Sequence, residues 1–229
     1  MTFNYNEIQR VLESFVRPTA ELKQAQKRER ILNAATNLFV IHGYRKTSVD
    51  DVAYAAGVAK GTVYLYYNNK AELLFHAIAL EKLRYLSAFK PLFDPSMSAL
   101  DRLRGFISLA ITWTHKLPLL AKFSSGDHEL EHVLLEVDSH LLEQVNEMQV
   151  SFITHLIDDA TERTLAPPAL HQRAAALLDL LFALVTGGRM TQIGMTPEAY
   201  AQLMADVLVQ GIAYQPHEVM APQLLDQRS

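Results

Sequence analysis

The chain has 229 residues, 49% of them hydrophobic, no cysteine and a formal net charge of −4. That length holds one large or two small domains with a sizeable core. The absence of cysteine excludes a disulfide framework and a thiolate zinc site, and no uncharged run approaches the ~18 residues of a membrane span.

The first residues, MTFNYNEIQRVLESFVRP, lack a basic region followed by a continuous apolar one, so they do not read as a secretory signal. A cytoplasmic protein is expected. Residues 1–22 read as an extension in which Ile8, Val11, Leu12 and Phe15 recur at helical spacing and Pro18 ends the segment. It is either an extra helix packed on the body or a mobile tail. The next helix runs to about His42, with Ile31, Ala35, Leu38 and Phe39 inward, and Gly43 stops it.

Val49, Val52, Ala53 and Ala56 then follow the stripe of a short amphipathic helix. Ser48 with Asp51 fits a capping box in which Asp replaces the usual Glu, and Gly57 fits a left-handed helix end. Helical spacing resumes four residues later. Two short helices joined by so tight a turn predict a helix-turn-helix, whose second helix lies in a DNA major groove. Asn69 and Glu72 form a further capping pattern at the head of a long helix from Lys70 to about Phe89, ended by Pro91 and Pro95.

The remainder is helical in pattern: Leu100 to Leu117, about His128 to Thr164, Ala169 to about Met190, and Glu198 to about Tyr214. Pro118, the SSGD turn at Ser124 to Asp127, the LAPP loop at Leu165 to Pro168, and Pro197 separate them. No period-2 strand pattern of useful length occurs, so the fold class is all-α. Charge is uneven. From Lys23 to Lys70 eight Lys/Arg stand against three Asp/Glu, whereas from Ala71 onward eleven stand against nineteen. A basic end beside an acidic body points to a localised polyanion site, although helical proteins often carry uneven charge without one.

The segment Thr47 to Leu73, TSVDDVAYAAGVAKGTVYLYYNNKAEL, resembles the DNA-binding domain of the tetracycline-repressor (TetR) family. Its fixed positions are Thr47, Ser48, Val49, Val52, Ala53, Ala56, Gly57, Val58, Lys60, Gly61, Thr62, Tyr64, Tyr66, Tyr67, Lys70 and Leu73. Arg28 to Tyr44 is similar to the family's first helix, and together the resemblance covers about a fifth of the chain. Two positions depart from the pattern. Ala59 stands where relatives carry a capping Ser, so a bond of roughly 1 kcal/mol is missing. Tyr67 stands where Phe is commoner, and its hydroxyl needs a partner.

The resemblance implies a helix-turn-helix domain at residues 23–70 and a helical effector-binding and dimerisation domain at residues 71–229. It implies a homodimeric repressor of a double-stranded DNA operator, released by a small-molecule effector, with no cofactor and no enzymatic activity. Thr47, Ser48, Lys60, Gly61, Thr62, Tyr64, Tyr66 and Lys70 are the candidate DNA contacts. Lys and Tyr donate to phosphates, Thr offers a methyl or hydroxyl to a base edge, and Gly lets the backbone approach closely. Thr62 and Tyr66 are one turn apart and share one helical face. Phe106, Trp113, Met148, Phe152, His155 and Phe182 fall on helices that surround the ligand in resembling proteins, though such stripes are more often plain core. In the apolar stretch Ala174 to Val185, and in Leu203 to Leu208, Leu181 and Leu208 mark the expected dimer interface.

One motif fits another class. His128-Glu129-Leu130-Glu131-His132 is an H-E-x-x-H, which on a helix puts two imidazoles on one face with a glutamate general base. A metal-dependent hydrolase, or a metal-sensing site at His128 and His132, is the reading it would support. Glu131 inside the motif and the lack of a third-ligand motif weigh against the hydrolase. A DNA-bound regulator answering to a protein partner is the remaining alternative.

Overall fold

The computed structural model describes residues 5–16, 22–123, 133, 135–162, 164–186 and 194–213, and their regular structure is helical. In chain order the elements are α1 (Tyr5–Val16), α2 (Leu22–His42), α3 (Val49–Ala56), α4 (Lys60–Tyr64), α5 (Lys70–Tyr85), a 3-10 helix (Leu86–Phe93), α6 (Ala99–Lys116), α7 (Pro118–Phe123), α8 (Ser139–Ala160), α9 (Pro167–Thr186) and α10 (Pro197–Ala213). The His128, Glu129 and His132 motif lies outside the described residues.

Two main cores organise these helices. Near the N-terminus Ile31, Leu32, Phe39, Val52, Val63, Tyr67, Leu73 and Leu74 bury together, joining α2 to α5. In the body, Leu103, Ile107 and Ile111 of α6 pack with α8, α9 and α10. Ala201 and Ala205 are fully buried, small enough to let α10 lie close on α6. A third cluster, Leu86, Phe89 and Leu92, sits beneath Tyr5, Ile8 and Leu12 of α1. The N-terminal segment is therefore a packed helix lying on α5 and the 3-10 helix.

The structure departs from the sequence expectation at three joints. The long helix after Lys70 ends at Tyr85 and tightens into the 3-10 helix, which contains Pro91. Proline lacks the amide hydrogen that an α-helix interior needs. The continuous helix expected from His128 is interrupted by a turn at residues 135–137, and α8 starts afresh at Asp138, whose carboxylate accepts the Leu141 amide at 3.1 Å. Val133 and Val137 carry helical spacing but bury in the N-terminal core rather than along α8. Pro118, expected as a breaker, opens α7, where a missing amide hydrogen costs nothing.

Several polar contacts fasten the body to the N-terminal core. Buried Glu81 of α5 accepts the Leu119 amide at the head of α7 at 3.0 Å. Lys122 at the other end of α7 donates to the carbonyls of Val40 and Ile41 near the end of α2. Glu136 accepts from the Tyr44 hydroxyl through its carboxylate and from the Asn69 side chain through its carbonyl, each at 3.0 Å.

Candidate nucleic-acid interface

The entry to α3 is built as the local sequence specifies. The Asp51 amide donates to Ser48 Oγ at 3.1 Å, and the Ser48 amide donates to the Asp51 carboxylate at 2.9 Å. Those bonds from Ser48 hold the Asp51 carboxyl below its ordinary value. At the other end Gly57 takes φ 65°, and its amide and that of Val58 close onto Tyr54 and Ala53 carbonyls. Here a left-handed residue is required, and glycine supplies it without the strain a side chain brings. The chain turns at once into α4, capped by Ala59 with no side-chain bond.

Helix α4 is only five residues long, and its buried anchor is Val63. Lys60, Gly61, Tyr64 and Leu65 are exposed around it. A methyl added at Gly61 would meet no atom of the chain within 4 Å, so the backbone there is open to an outside partner. Lys60 pairs with Asp50 at 2.6 Å across the turn. Its hydrogen bond to Asp50 holds the ammonium above its ordinary value. Both groups are exposed, so a phosphate can exchange for the carboxylate at little cost.

Other residues singled out in the sequence sit differently. Thr47 is buried, its hydroxyl donating to the carbonyls of Gly43 at 2.8 Å and Leu38 at 3.2 Å. The Lys70 ammonium donates to the carbonyls of Tyr44 and Thr47 at 2.9 and 3.2 Å, and lies 4.1 Å from the Tyr44 ring centroid. Both side chains brace the loop between α2 and α3 in the free chain. Tyr66 falls beyond the end of α4, half-buried, with the Arg28 guanidinium 5.0 Å from its ring. Thr62 is half-buried on the helix itself, so the two do not form one exposed face. Ser48 is exposed, with its hydroxyl on Asp51 at 2.6 Å.

The exposed surface adds residues that spacing did not mark. Arg45 and Lys46 are exposed just before α3. Leu65 is 81% exposed at the end of α4, and Tyr54 is 91% exposed on α3. In the sequence Leu65 lies within the apolar run VYLYY, where only the tertiary fold separates core from surface. An exposed leucine beside a recognition helix suits the methyl group of thymine.

In the body, Phe106 of α6 meets Phe152 of α8 edge-on at 5.3 Å, and Phe89 approaches Phe106 at 6.1 Å and Trp113 at 4.5 Å. Met148 is half-buried one turn before Phe152. His155 lies 3.9 Å from Asp159 on the same helix. Phe182 is 41% exposed on α9. Among the described residues no group of three or more His, Asp or Glu is placed to hold a metal ion. No helix of the described residues is long and apolar enough to cross a membrane.

Comparison with known proteins gives this arrangement its context. Residues 31–77 match the family described as bacterial regulatory proteins, tetR family. The chain is 30% identical over 140 residues to the fatty acid metabolism regulator protein of Bacillus subtilis (strain 168), a match spanning 58% of this chain and 65% of that protein. The fold superposes on the fatty acid degradation regulator FadR from Bacillus halodurans with a TM-score of 0.60 and 20% identity, covering 83% of this chain and 96% of that one. It superposes on FadR from Bacillus subtilis in complex with stearoyl-CoA with a TM-score of 0.55 and 20% identity, covering 80% and 98%. With the helix-turn-helix geometry above, these matches place the chain in the TetR family of transcriptional regulators.

Proposed function

We propose that the chain is a cytoplasmic, homodimeric repressor that leaves its operator when a small molecule enters the helical body. Residues 23–70 form the DNA-binding unit and residues 71–229 the effector-binding and dimerisation unit. The observation that carries the DNA role is the open surface of α4, where Lys60, Gly61, Tyr64 and Leu65 are exposed, with Arg45 and Lys46 exposed just before α3. A dimer presents two such helices about 34–36 Å apart, matching successive turns of a near-palindromic site.

Leu180 of α9 and Leu203 and Val207 of α10 are 48%, 49% and 54% exposed in the single chain. Apolar side chains so exposed on two helices that both pack on α6 suit a four-helix contact with a second copy. Leu181, by contrast, is buried within its own subunit and Leu208 is half-buried, so the interface centres on their neighbours. The aromatic group between the 3-10 helix, α6 and α8 suits an apolar effector with a polar head, and a fold relative was crystallised with an acyl-CoA. An effector preferring a state with a different spacing of the two α4 helices would lower DNA affinity by its differential binding.

Gel-shift titrations of Tyr64→Ala and Thr62→Ala test the DNA assignment. Loss of the Tyr64 phosphate contact should weaken binding to every sequence, whereas Thr62→Ala should change preference at one base pair. Wild-type affinity and preference in both variants would overturn it.

A further inference from the structure

We propose that the body contains a site for an apolar carboxylate, anchored by the Lys82 ammonium and the Trp113 indole N–H. The proposal rests on the effector reading above and gives that effector its chemistry.

Lys82 sits on α5, half-buried, one turn after Ile78 and one turn before Tyr85. Among the described residues no carboxylate pairs with it, and burial alone pushes its ammonium below the ordinary lysine range. The neighbouring carboxylate, Glu81, is already committed to the Leu119 amide. Partly desolvated lysines are rare without a counter-charge.

Trp113 carries the second donor. Its Nε1 is buried and has no acceptor, whereas buried indole N–H groups are normally paired. The Trp113 ring lies 4.5 Å from Phe89 and 6.1 Å from Tyr85, centroid to centroid. Tyr85 is one helical turn from Lys82, so Lys82 shares a side of α5 with the ring that neighbours Trp113. Beyond them Phe89, Phe106 and Phe152 form a continuous apolar wall. A cation and an N–H donor without acceptors, at the edge of an aromatic wall, complement two carboxylate oxygens on an apolar tail. A neutral ligand would leave Lys82 unanswered.

The test is isothermal titration calorimetry on the full-length protein with decanoate and 2-naphthoate, each against a neutral counterpart, decanol and 2-naphthamide. Wild type should bind at least one acid about tenfold or more tightly than its neutral counterpart, as expected for a charge-assisted hydrogen bond. Whichever acid binds better identifies the tail as aliphatic or aromatic, and either result supports the site. Lys82→Met should erase the preference and Lys82→Arg should keep it. Ligand-free Lys82→Met should melt no lower than wild type, because it removes a charge lacking a counter-ion; a marked fall would reveal a structural partner and overturn the proposal. Equal binding of acid and neutral compound, retention of the preference in Lys82→Met, or no binding of either acid would also overturn it. Operator affinity measured with the same acids separates the two readings. Preferential acid binding that leaves DNA affinity unchanged supports the site and refutes effector release. Release of DNA only by compounds indifferent to Lys82→Met supports effector release and refutes the carboxylate site.

Discussion

Gly61 offers a substitution at which folding and DNA binding should move in opposite directions. It is the second residue of α4, exposed, with a backbone angle open to any residue and no atom of the chain within 4 Å of an added Cβ. For folding, alanine in a helix is favoured over glycine by about 0.5–1 kcal/mol. In a chain of this size that raises the melting temperature by roughly 1–4 °C. For DNA binding, the added methyl occupies the space through which the backbone would meet a phosphate. A lost hydrogen bond of about 1 kcal/mol in each subunit sums to about 2 kcal/mol, or roughly 30-fold in Kd. Calorimetric melting of Gly61→Ala, together with anisotropy titration of a labelled operator at fixed salt, reads both effects. Unchanged affinity would show that no DNA backbone lies against this residue. A lower melting temperature would show that the position is packed within the protein after all.

Three further outcomes follow from the geometry. Tyr67→Phe removes a buried hydroxyl that has no partner, and should stabilise the fold by about 1 kcal/mol at neutral pH; burial, opposed by the nearby Arg28 charge, pushes the Tyr67 hydroxyl from 10.0 up to about 12, so wild-type stability, intact below pH 10, should fall as pH rises toward 12. Urea melts at about pH 8 and about pH 11 should show that decline, of order 2–3 kcal/mol when complete, in wild type and not in Tyr67→Phe. Gly57→Ala should cost about 1–2 kcal/mol by circular-dichroism melting, from backbone strain alone, because φ is 65° and nothing crowds the site. Leu203→Glu with Val207→Glu should give a folded species that sediments as a monomer; a dimer with unchanged affinity would place the interface elsewhere.

The helix-turn-helix was legible because its determinants are local. The Ser48–Asp51 box and the Gly57 turn are formed by residues within five positions of one another. The same locality limited the reading of side-chain roles. Thr47 and Lys70 carry groups that suit a phosphate, yet their hydrogen bonds go to the carbonyls of Leu38, Gly43, Tyr44 and Thr47. The partners of Lys70 are up to 26 positions distant, which no local pattern shows. Tyr66 lies past the end of α4, so the helical face it would share with Thr62 is not formed. The start of α8 is hidden because Val133, Val137 and Leu141 share a helical spacing and all three pack on the N-terminal core, although a turn at residues 135–137 separates them. Lys82 gave no signal at all, since an unpaired half-buried cation is visible only once its neighbours are in place.

Those long-range contacts also bear on how the two units communicate. Lys82 is adjacent to Glu81, whose carboxylate holds the first amides of α7. The other end of α7 reaches the last carbonyls of α2 through Lys122. Glu136 joins Tyr44, just after α2, to Asn69, the cap of α5. The helix-turn-helix is thus tied at both ends, and each tie runs through a residue of α5 or of the body. Burial raises the Glu81 carboxyl above its ordinary value while the Leu119 and Leu120 amides oppose that shift, so the bond persists only while α5 and α7 keep their present separation. A ligand whose binding to Lys82 shifts or rotates α5 would strain this bond. The strain has two outlets, α7 against α2 or the Asn69 cap, and both end on the segment that positions α4. Physical continuity of this kind gives coupling a route, and a coupling measurement tests it. Demonstration requires that Tyr44→Phe change the effector's influence on DNA affinity while leaving the affinity of each ligand alone nearly intact, since Tyr44 contributes a bond between the units and no exposed surface to either ligand.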